Sequence, residues 1–366
     1  MRRGVEMAKE AYLDITQILQ FAVERNASDI LLTANCPPTV RINGELIYTN
    51  APPMSPETVK KLVYSVLNDE QIATFEKKKE LDFSLYVDKS RFRGNVFMQR
   101  GCVGAAFRTI PGRIPNLREL GLPEILADLA LRPQGLVLIT GPTGHGKSTT
   151  LAAMIDIINT VRKCHIVTIE DPIEFIHTNK KSIIDQREVG TDTMSFANAL
   201  KHVLRQDPDV ILVGEMRDLE TISAALRAAE TGHLVLATLH TNDAVQTIDR
   251  LIDVFPSHQQ QQIRIQLAFC LVAVCSQRLI PRLDMKGRLC ATEIMLNNHA
   301  IAHLIRDAKT FNIYSTMETQ AKAGMYTMDS SLKQLYEKGL ISYENARMWM
   351  KNPQMLDTPA RSKRKD

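Results

Sequence analysis

Residues 141–150 read GPTGHGKSTT. Gly141 and Gly146 have four positions between them and are followed by Lys147 and Ser148, the P-loop spacing G-x-x-x-x-G-K-[ST]. Backbone N–H groups in such a loop cradle nucleotide phosphates, the lysine adds a positive charge, and the serine hydroxyl is a direct ligand for Mg²⁺. Gly141, Thr143, Gly144, His145, Gly146, Lys147, Ser148 and Thr149 are therefore the expected phosphate-binding residues. At position 145 the main contribution expected is the backbone N–H, with the imidazole secondary.

Other chemistry-bearing residues follow apolar runs. HIVTIE (165–170) leads into DPIE, which supplies Glu170, Asp171 and Glu174. DVILVGE (209–215) ends in Glu215, followed by Met216, Arg217 and Asp218, so glutamate stands where a simple Walker B strand has aspartate. HLVLATLH (233–240) is bracketed by His233 and His240. If these runs are strands parallel to the one before the P-loop, all these groups gather near the terminal phosphate. Hydrolysis there needs Mg²⁺, a group that orients water, and cations that absorb transition-state charge. Glu215 is expected to contact Mg²⁺ through water, beside Ser148 as direct ligand. In RFRG (91–94), Arg91 and Arg93 share one face if the segment is a strand, and could reach a neighbouring subunit's nucleotide.

The elements that must position these groups divide the chain in two. GLVLIT (135–140) has strand length, and STTLAAMIDIIN (148–159) has apolar residues at helical spacing, so a strand feeds the loop and a helix leaves it. Four apolar runs without alternation predict strands buried on both faces, a parallel sheet flanked by helices near 195–206, 218–230 and 243–254. Residues beyond 258 read as mainly helical, with IQLAFCLVAVC (265–275) as a buried helix. The first hundred residues read as α+β: a helix over 11–26, strands at 29–33 and 39–48 turned by Asn43-Gly44, helices from Pro56 and over 69–79, and three antiparallel strands within 81–110. The expected division is an N-terminal domain over 1–108, a Pro/Gly-rich linker over 109–121, an ATPase domain over 122–356 and a basic, disordered tail over 357–366.

Bulk properties limit the partners. The 366 residues carry a net charge of +4, with 44% apolar side chains. Neither a basic stripe nor interleaved aromatics appear, which argues against nucleic acid. No run approaches the roughly 20 apolar residues of a membrane span, so a membrane is expected to be met only through partners. Six cysteines without a C-x-x-C pair read as reduced thiols of a cytoplasmic protein.

Together the motifs resemble the secretion-type hexameric ATPases of type IV pili and type II secretion. LRQDPDVILVGEMRD (204–218) fits the family signature at every fixed position; IEDPIE (169–174) resembles its aspartate box and TGHLVLATLHTND (231–243) its histidine box. The similarity covers nearly the whole chain, including SDILLT and PPTVRINGEL. It is closest to the retraction branch: no large extra domain precedes the first, and RLIPRLDMKGRLCATEIM has no room for the tetracysteine zinc insert of the extension and secretion enzymes. AIAHLIRDAKT (300–310) resembles the retraction motif AIRNLIRE but differs at Ala302, His303 and Asp307.

The resemblance implies an α/β fold, with a RecA-like P-loop ATPase domain and a smaller α+β PAS-like N-terminal domain. It implies a homo-hexamer that binds ATP and Mg²⁺ at the cytoplasmic face of the inner membrane. Its partners would be a PilC-like inner-membrane platform protein and a related accessory ATPase. By motif correspondence, Lys147 binds phosphates, Ser148 holds Mg²⁺, Glu174 orients water, Glu215 takes the Walker B position, and His233 and His240 sense the γ-phosphate. Arg91, Arg93 and Arg217 are candidates for the charge supplied across the ring. Pilus retraction is the expected task; extension, type II secretion, and a weakly hydrolysing accessory ring are the alternatives.

Overall fold

The computed structural model describes residues 14–356, apart from 43, 89, 111 and 286. The Asn43-Gly44 turn and the basic tail therefore lie, in part or whole, outside the described residues, as do residues 11–13 of the first expected helix. The chain forms two compact units, 1–113 and 114–366. The break falls within the 109–121 stretch, whose first two residues still belong to a strand.

The first unit contains α1 (Ile15–Glu24), β1 (Asp29–Leu32), β2 (Thr39–Ile42), β3 (Glu45–Tyr48), α2 (Pro56–Tyr64), α3 (Asp69–Lys78), β4 (Glu80–Val87), β5 (Ser90–Gln99) and β6 (Cys102–Ile110). Local chemistry fixes the helix starts. Ser55 accepts from the Thr58 N–H and Pro56 sits inside the first turn of α2, while Asn68 and Gln71 form a reciprocal capping box on α3. The strands form one antiparallel sheet ordered β3-β2-β1-β6-β5-β4, and one of its faces is sealed by a core that includes Ile18, Val59, Phe75, Phe92 and Phe107.

The second unit opens with α4 (Ile125–Ala130) and β7 (Gly135–Thr140). Then follow α5 (Lys147–Val161), β8 (His165–Glu170), β9 (Ile183–Glu188), α6 (Phe196–Val203), β10 (Val210–Val213), α7 (Leu219–Glu230), β11 (Leu234–Leu239), α8 (Ala244–Asp253) and α9 (Ser257–Cys270). β12 (Leu271–Pro281), β13 (Arg288–Leu296), α10 (His299–Arg306), α11 (Ile313–Thr319), α12 (Met328–Glu337) and α13 (Tyr343–Trp349) complete it. The sheet order is β13-β12-β7-β11-β10-β8-β9, parallel throughout except for β13. Alternate residues of each central strand enter opposite cores. Leu136 and Leu138 of β7 pack on one side, Val137 and Ile139 on the other; β10 divides Ile211 and Val213 from Val210 and Leu212 in the same way. That two-sided burial is why these strands lack alternation.

Beyond 258 helices outnumber strands, as expected, but 265–275 is not one buried helix. α9 stops at Cys270, and Leu271 begins an eleven-residue strand paired with β7 on one edge and β13 on the other. Because β12 is buried on both faces, its sequence runs on apolar from α9 and conceals the change of period. β9 also went unread: IIDQRE is a sheet-edge strand with a mostly polar sequence. A buried carboxylate ties the C-terminal helices to the sheet. Glu293 of β13 is 1% exposed and accepts from the backbone N–H of Ala244 (2.8 Å) and of Met328 (3.2 Å), at the starts of α8 and α12. Among the described residues, no helix is long and apolar enough to cross a membrane.

Candidate active site at the carboxyl end of the sheet

β7 ends at Thr140, and the chain turns through Gly141–Gly146 into α5, so the first N–H groups of that helix point into the loop. The glycines at the two ends of the turn are required. Gly141 has φ +139°, and a Cβ there would lie 2.3 Å from the Gln277 carbonyl oxygen; Gly146, at φ +83°, caps α5. Lys147 is 8% exposed. Its ammonium donates to the carbonyls of Gly141 (2.7 Å) and Pro142 (3.1 Å), and Nζ is 3.3 Å from His240 Nδ1. Burial pulls the Lys147 pKa below the ordinary lysine value, opposed by the negative charge of Glu215. Ser148 is exposed beside it, and Thr149 is half-buried.

His240 follows β11, the strand next to β7, and its ring joins two elements. Nδ1 also lies 3.3 Å from Thr143 Oγ1, while Nε2 is 2.9 Å from Glu215 Oε1. Glu215 follows β10, the next strand over, and also accepts from Arg217 Nε. Burial would raise the Glu215 carboxyl, but the Arg217 hydrogen bond and His240 outweigh it and hold the group below the usual carboxylate range. Arg217 is 76% exposed at the side chain. A chain of contacts thus runs from Lys147 through His240 to Glu215 and Arg217.

Beyond β8, Glu170 accepts from Thr168 Oγ1 (2.7 Å), Gln186 Nε2 (3.3 Å) and the Glu174 backbone N–H. Burial raises its carboxyl above the ordinary range despite these bonds, and the nearby Glu174 charge adds to the rise. Glu174 itself is half-buried on the segment leaving β8, at the same end of the sheet. Among the described residues it makes no hydrogen bond or ion pair with Lys147, His240 or Glu215.

Three sequence expectations need correction. His233 is not brought to this cluster. It precedes β11, its carbonyl accepts from Gly135 N–H at the start of β7, and its ring bonds to the Ala228 carbonyl (3.0 Å). Six strand residues separate it from His240, roughly 20 Å at strand rise, because residues before and after a strand lie at opposite ends of the sheet. Arg91 is not an extended charge: it is 7% exposed, donates to Ser84 Oγ (3.0 Å) and lies over the Tyr86 ring. Arg93, on the same face of β5, is exposed. The His145 imidazole is not idle either, since Nδ1 accepts from the Leu279 N–H at 3.0 Å.

Sequence reasoning missed the supports behind the site. Gln277 donates through Nε2 to the His145 carbonyl (2.7 Å) and accepts through Oε1 from Thr150 Oγ1 (2.9 Å). The residues after His240 are held from the chain's far end. Arg278 donates to Asn242 Oδ1 (3.1 Å) and stacks on Trp349 (4.2 Å to the ring centre), while Lys351 Nζ lies 2.9 Å from Asp243 Oδ2. No spacing signal could have linked residues so distant in sequence.

Comparison with known proteins gives the family. The family model described as "Type II/IV secretion system protein" matches residues 7–348. The chain is 50% identical over 343 residues to the "Type IV pilus retractation ATPase PilT" of Pseudomonas aeruginosa, covering 93% of this chain and 99% of that one. It is 48% identical over 343 residues to a "Twitching motility protein" of Neisseria gonorrhoeae, covering 93% and 92%. A solved structure described as the pilus retraction motor PilT with bound ADP superposes with a TM-score of 0.89 at 50% identity, covering 94% of this chain and 99% of that chain. The α/β architecture is accordingly a RecA-like P-loop ATPase domain preceded by a smaller α+β PAS-like domain. With its P-loop at the head of α5 and its acidic and imidazole groups on the neighbouring strand ends, this chain belongs to the type II/IV secretion system protein family.

Proposed function

We propose that this chain is a motor ATPase that hydrolyses ATP to retract type IV pili, working as a ring of six at the cytoplasmic face of the inner membrane. The observation that carries the reading is the contact chain Lys147–His240–Glu215, which links the phosphate-binding lysine to a carboxylate held ionised two strands away. Phosphate oxygens accept more strongly than the loop carbonyls, because the bond is charge-assisted. Lys147 therefore shifts its hydrogen bonds from Gly141 and Pro142 to the nucleotide, and the imidazole of His240 registers that shift and passes it to Glu215. Glu174 orients the attacking water. Arg93 and Arg217, both exposed, are the candidates for charge supplied across the ring.

The residues present fit Mg²⁺ carried in with the nucleotide. Ser148 offers a hydroxyl oxygen next to Lys147, and Glu215 offers a carboxylate for an outer contact through water. Among the described residues, no three His, Cys, Asp or Glu side chains form a metal cage of their own, as suits an ion that keeps several waters and leans on phosphates. Held there, such an ion would supply positive charge to offset the negative charge that develops in phosphoryl transfer.

Hydrolysis and release in turn around the ring would work against an inner-membrane platform protein, with 109–121 as the stretch that absorbs the backbone change between the two units. ATP turnover by the purified protein, followed across its oligomeric states, tests the enzyme. Glu174→Ala is expected to stay folded and to lose turnover; normal turnover in that variant removes Glu174 from the catalytic role. In cells, a deletion strain with abundant but immobile pili supports retraction, and a bald strain refutes it.

A further inference from the structure

β12 is longer than the strand it pairs with. Its ladder with β7 ends at Ser276 opposite Thr140, the point where β7 leaves the sheet for the P-loop. Gln277 to Pro281 continue past that point, paired on their other edge with β13 and flanking the loop. The edge that β7 vacates is taken over by the loop itself. Leu279 N–H donates to His145 Nδ1 (3.0 Å), and Gln277 Nε2 donates to the His145 carbonyl (2.7 Å). Gln277 Oε1 accepts from Thr150 Oγ1 (2.9 Å) in the first turn of α5. Gln277 is 2% exposed, so its amide has no water to fall back on and both ends are committed to the loop. Arg288 of β13 reaches the Gly144 carbonyl at 3.5 Å.

We propose that Gln277 and His145 are positioning residues for nucleotide binding: they fasten the P-loop to the projecting end of β12, so that its N–H groups are aimed before the phosphates arrive. The proposal rests on the ATPase reading for its ligand. His145 serves in one protonation form only, with Nδ1 bare and the proton on Nε2. Burial, and the charges of Arg278 on β12, Arg288 on β13 and Lys147 on α5, push the ring's pKa below the ordinary histidine value and keep that form. Pre-aimed donors favour binding because their ordering is settled before the ligand comes. The fastening acts on affinity for any nucleotide; it touches none of the groups proposed to act on water.

The test uses full-length purified protein and the series His145→Ala, His145→Asn and Gln277→Ala. The asparagine Oδ1 can accept from Leu279 N–H in the place of Nδ1; alanine cannot. ADP affinity is measured by equilibrium titration, apart from ATP turnover. His145→Ala, which loses one hydrogen bond, is expected to weaken ADP binding and raise the ATP KM by about tenfold, and Gln277→Ala, which loses two, by at least as much, with kcat at saturation within about twofold of the parent in both. His145→Asn is expected to restore most of the affinity and to lack the loss of ADP binding expected of the parent when acidification protonates His145. Unchanged affinity in His145→Ala, or an Asn variant no better than the Ala one, overturns the proposal. If Gln277→Ala does not fold, the His145 pair still decides, because that side chain is only half-buried. A parent that binds ADP and shows this pattern without hydrolysing ATP keeps the fastening and sinks the motor reading; a parent that binds no nucleotide sinks both.

Discussion

Replacing His240 with alanine tests the proposed phosphate-sensing role separately from phosphate binding. The ring holds Glu215 through Nε2 at 2.9 Å and meets Lys147 and Thr143 through Nδ1 at 3.3 Å. The first contact is short and involves a carboxylate that is 18% exposed at its side chain. A hydrogen bond to a charged group contributes about 1.5–3 kcal/mol, and each 1.36 kcal/mol on a barrier is tenfold in rate. If that bond is what holds Glu215 in its working position, kcat falls about 10- to 150-fold in His240→Ala. Nucleotide affinity should hold within about threefold, because Lys147 keeps its other partners and the lost Nδ1 contact is long. Phosphate release across an ATP titration, paired with an independent ADP titration, separates the two effects. A kcat within twofold of the parent, or a loss confined to affinity, would refute the reasoning.

Three further perturbations test the frame around the site. Gly141→Ala places a Cβ 2.3 Å from the Gln277 carbonyl oxygen at a φ of +139°, so ADP binding should be lost while the N-terminal unit remains folded, as limited proteolysis would report. Glu293→Gln keeps one acceptor oxygen but turns an NH₂ toward a backbone N–H. The buried clash should cost about 1–3 kcal/mol and lower Tm by about 2–12 °C; an unchanged Tm contradicts the carboxylate's bridging role. His177, beside the Glu174 segment, is held neutral by burial, with its pKa lowered to about 4. The unfolded chain takes up a proton near pH 6.5, so this contribution is full above 6.5 and lost as pH falls from there toward 4. At 1.36 kcal/mol per pH unit that is about 3 kcal/mol at most, and His177→Phe should flatten the fall of Tm between pH 7 and 5.

The residues proposed to surround the terminal phosphate are readable in the sequence because each follows an apolar run, and parallel strands bring their carboxyl ends to one edge. Glu215 and His240 meet for that reason. The same rule excludes His233, since strand direction, which spacing alone does not display, sends it to the other edge. Arg91 and Arg93 do share a face, but the sequence carries no sign that Tyr86 and Ser84 engage one of them. β12 was hidden by its own burial: a strand covered on both faces and joined directly to a helix offers no change of period. Gln277 and His145 stand 132 positions apart, and only the overhang of one strand beyond its neighbour brings them together.

Trp349 is the only tryptophan in the chain, and its ring lies against Arg278, which holds Asn242 two residues beyond His240. The protein thus carries a built-in optical probe wired to its proposed catalytic edge. Any rearrangement of the 240–243 segment during turnover must slide or unstack a cation from that indole, so intrinsic emission can time the motor's stroke with no dye attached.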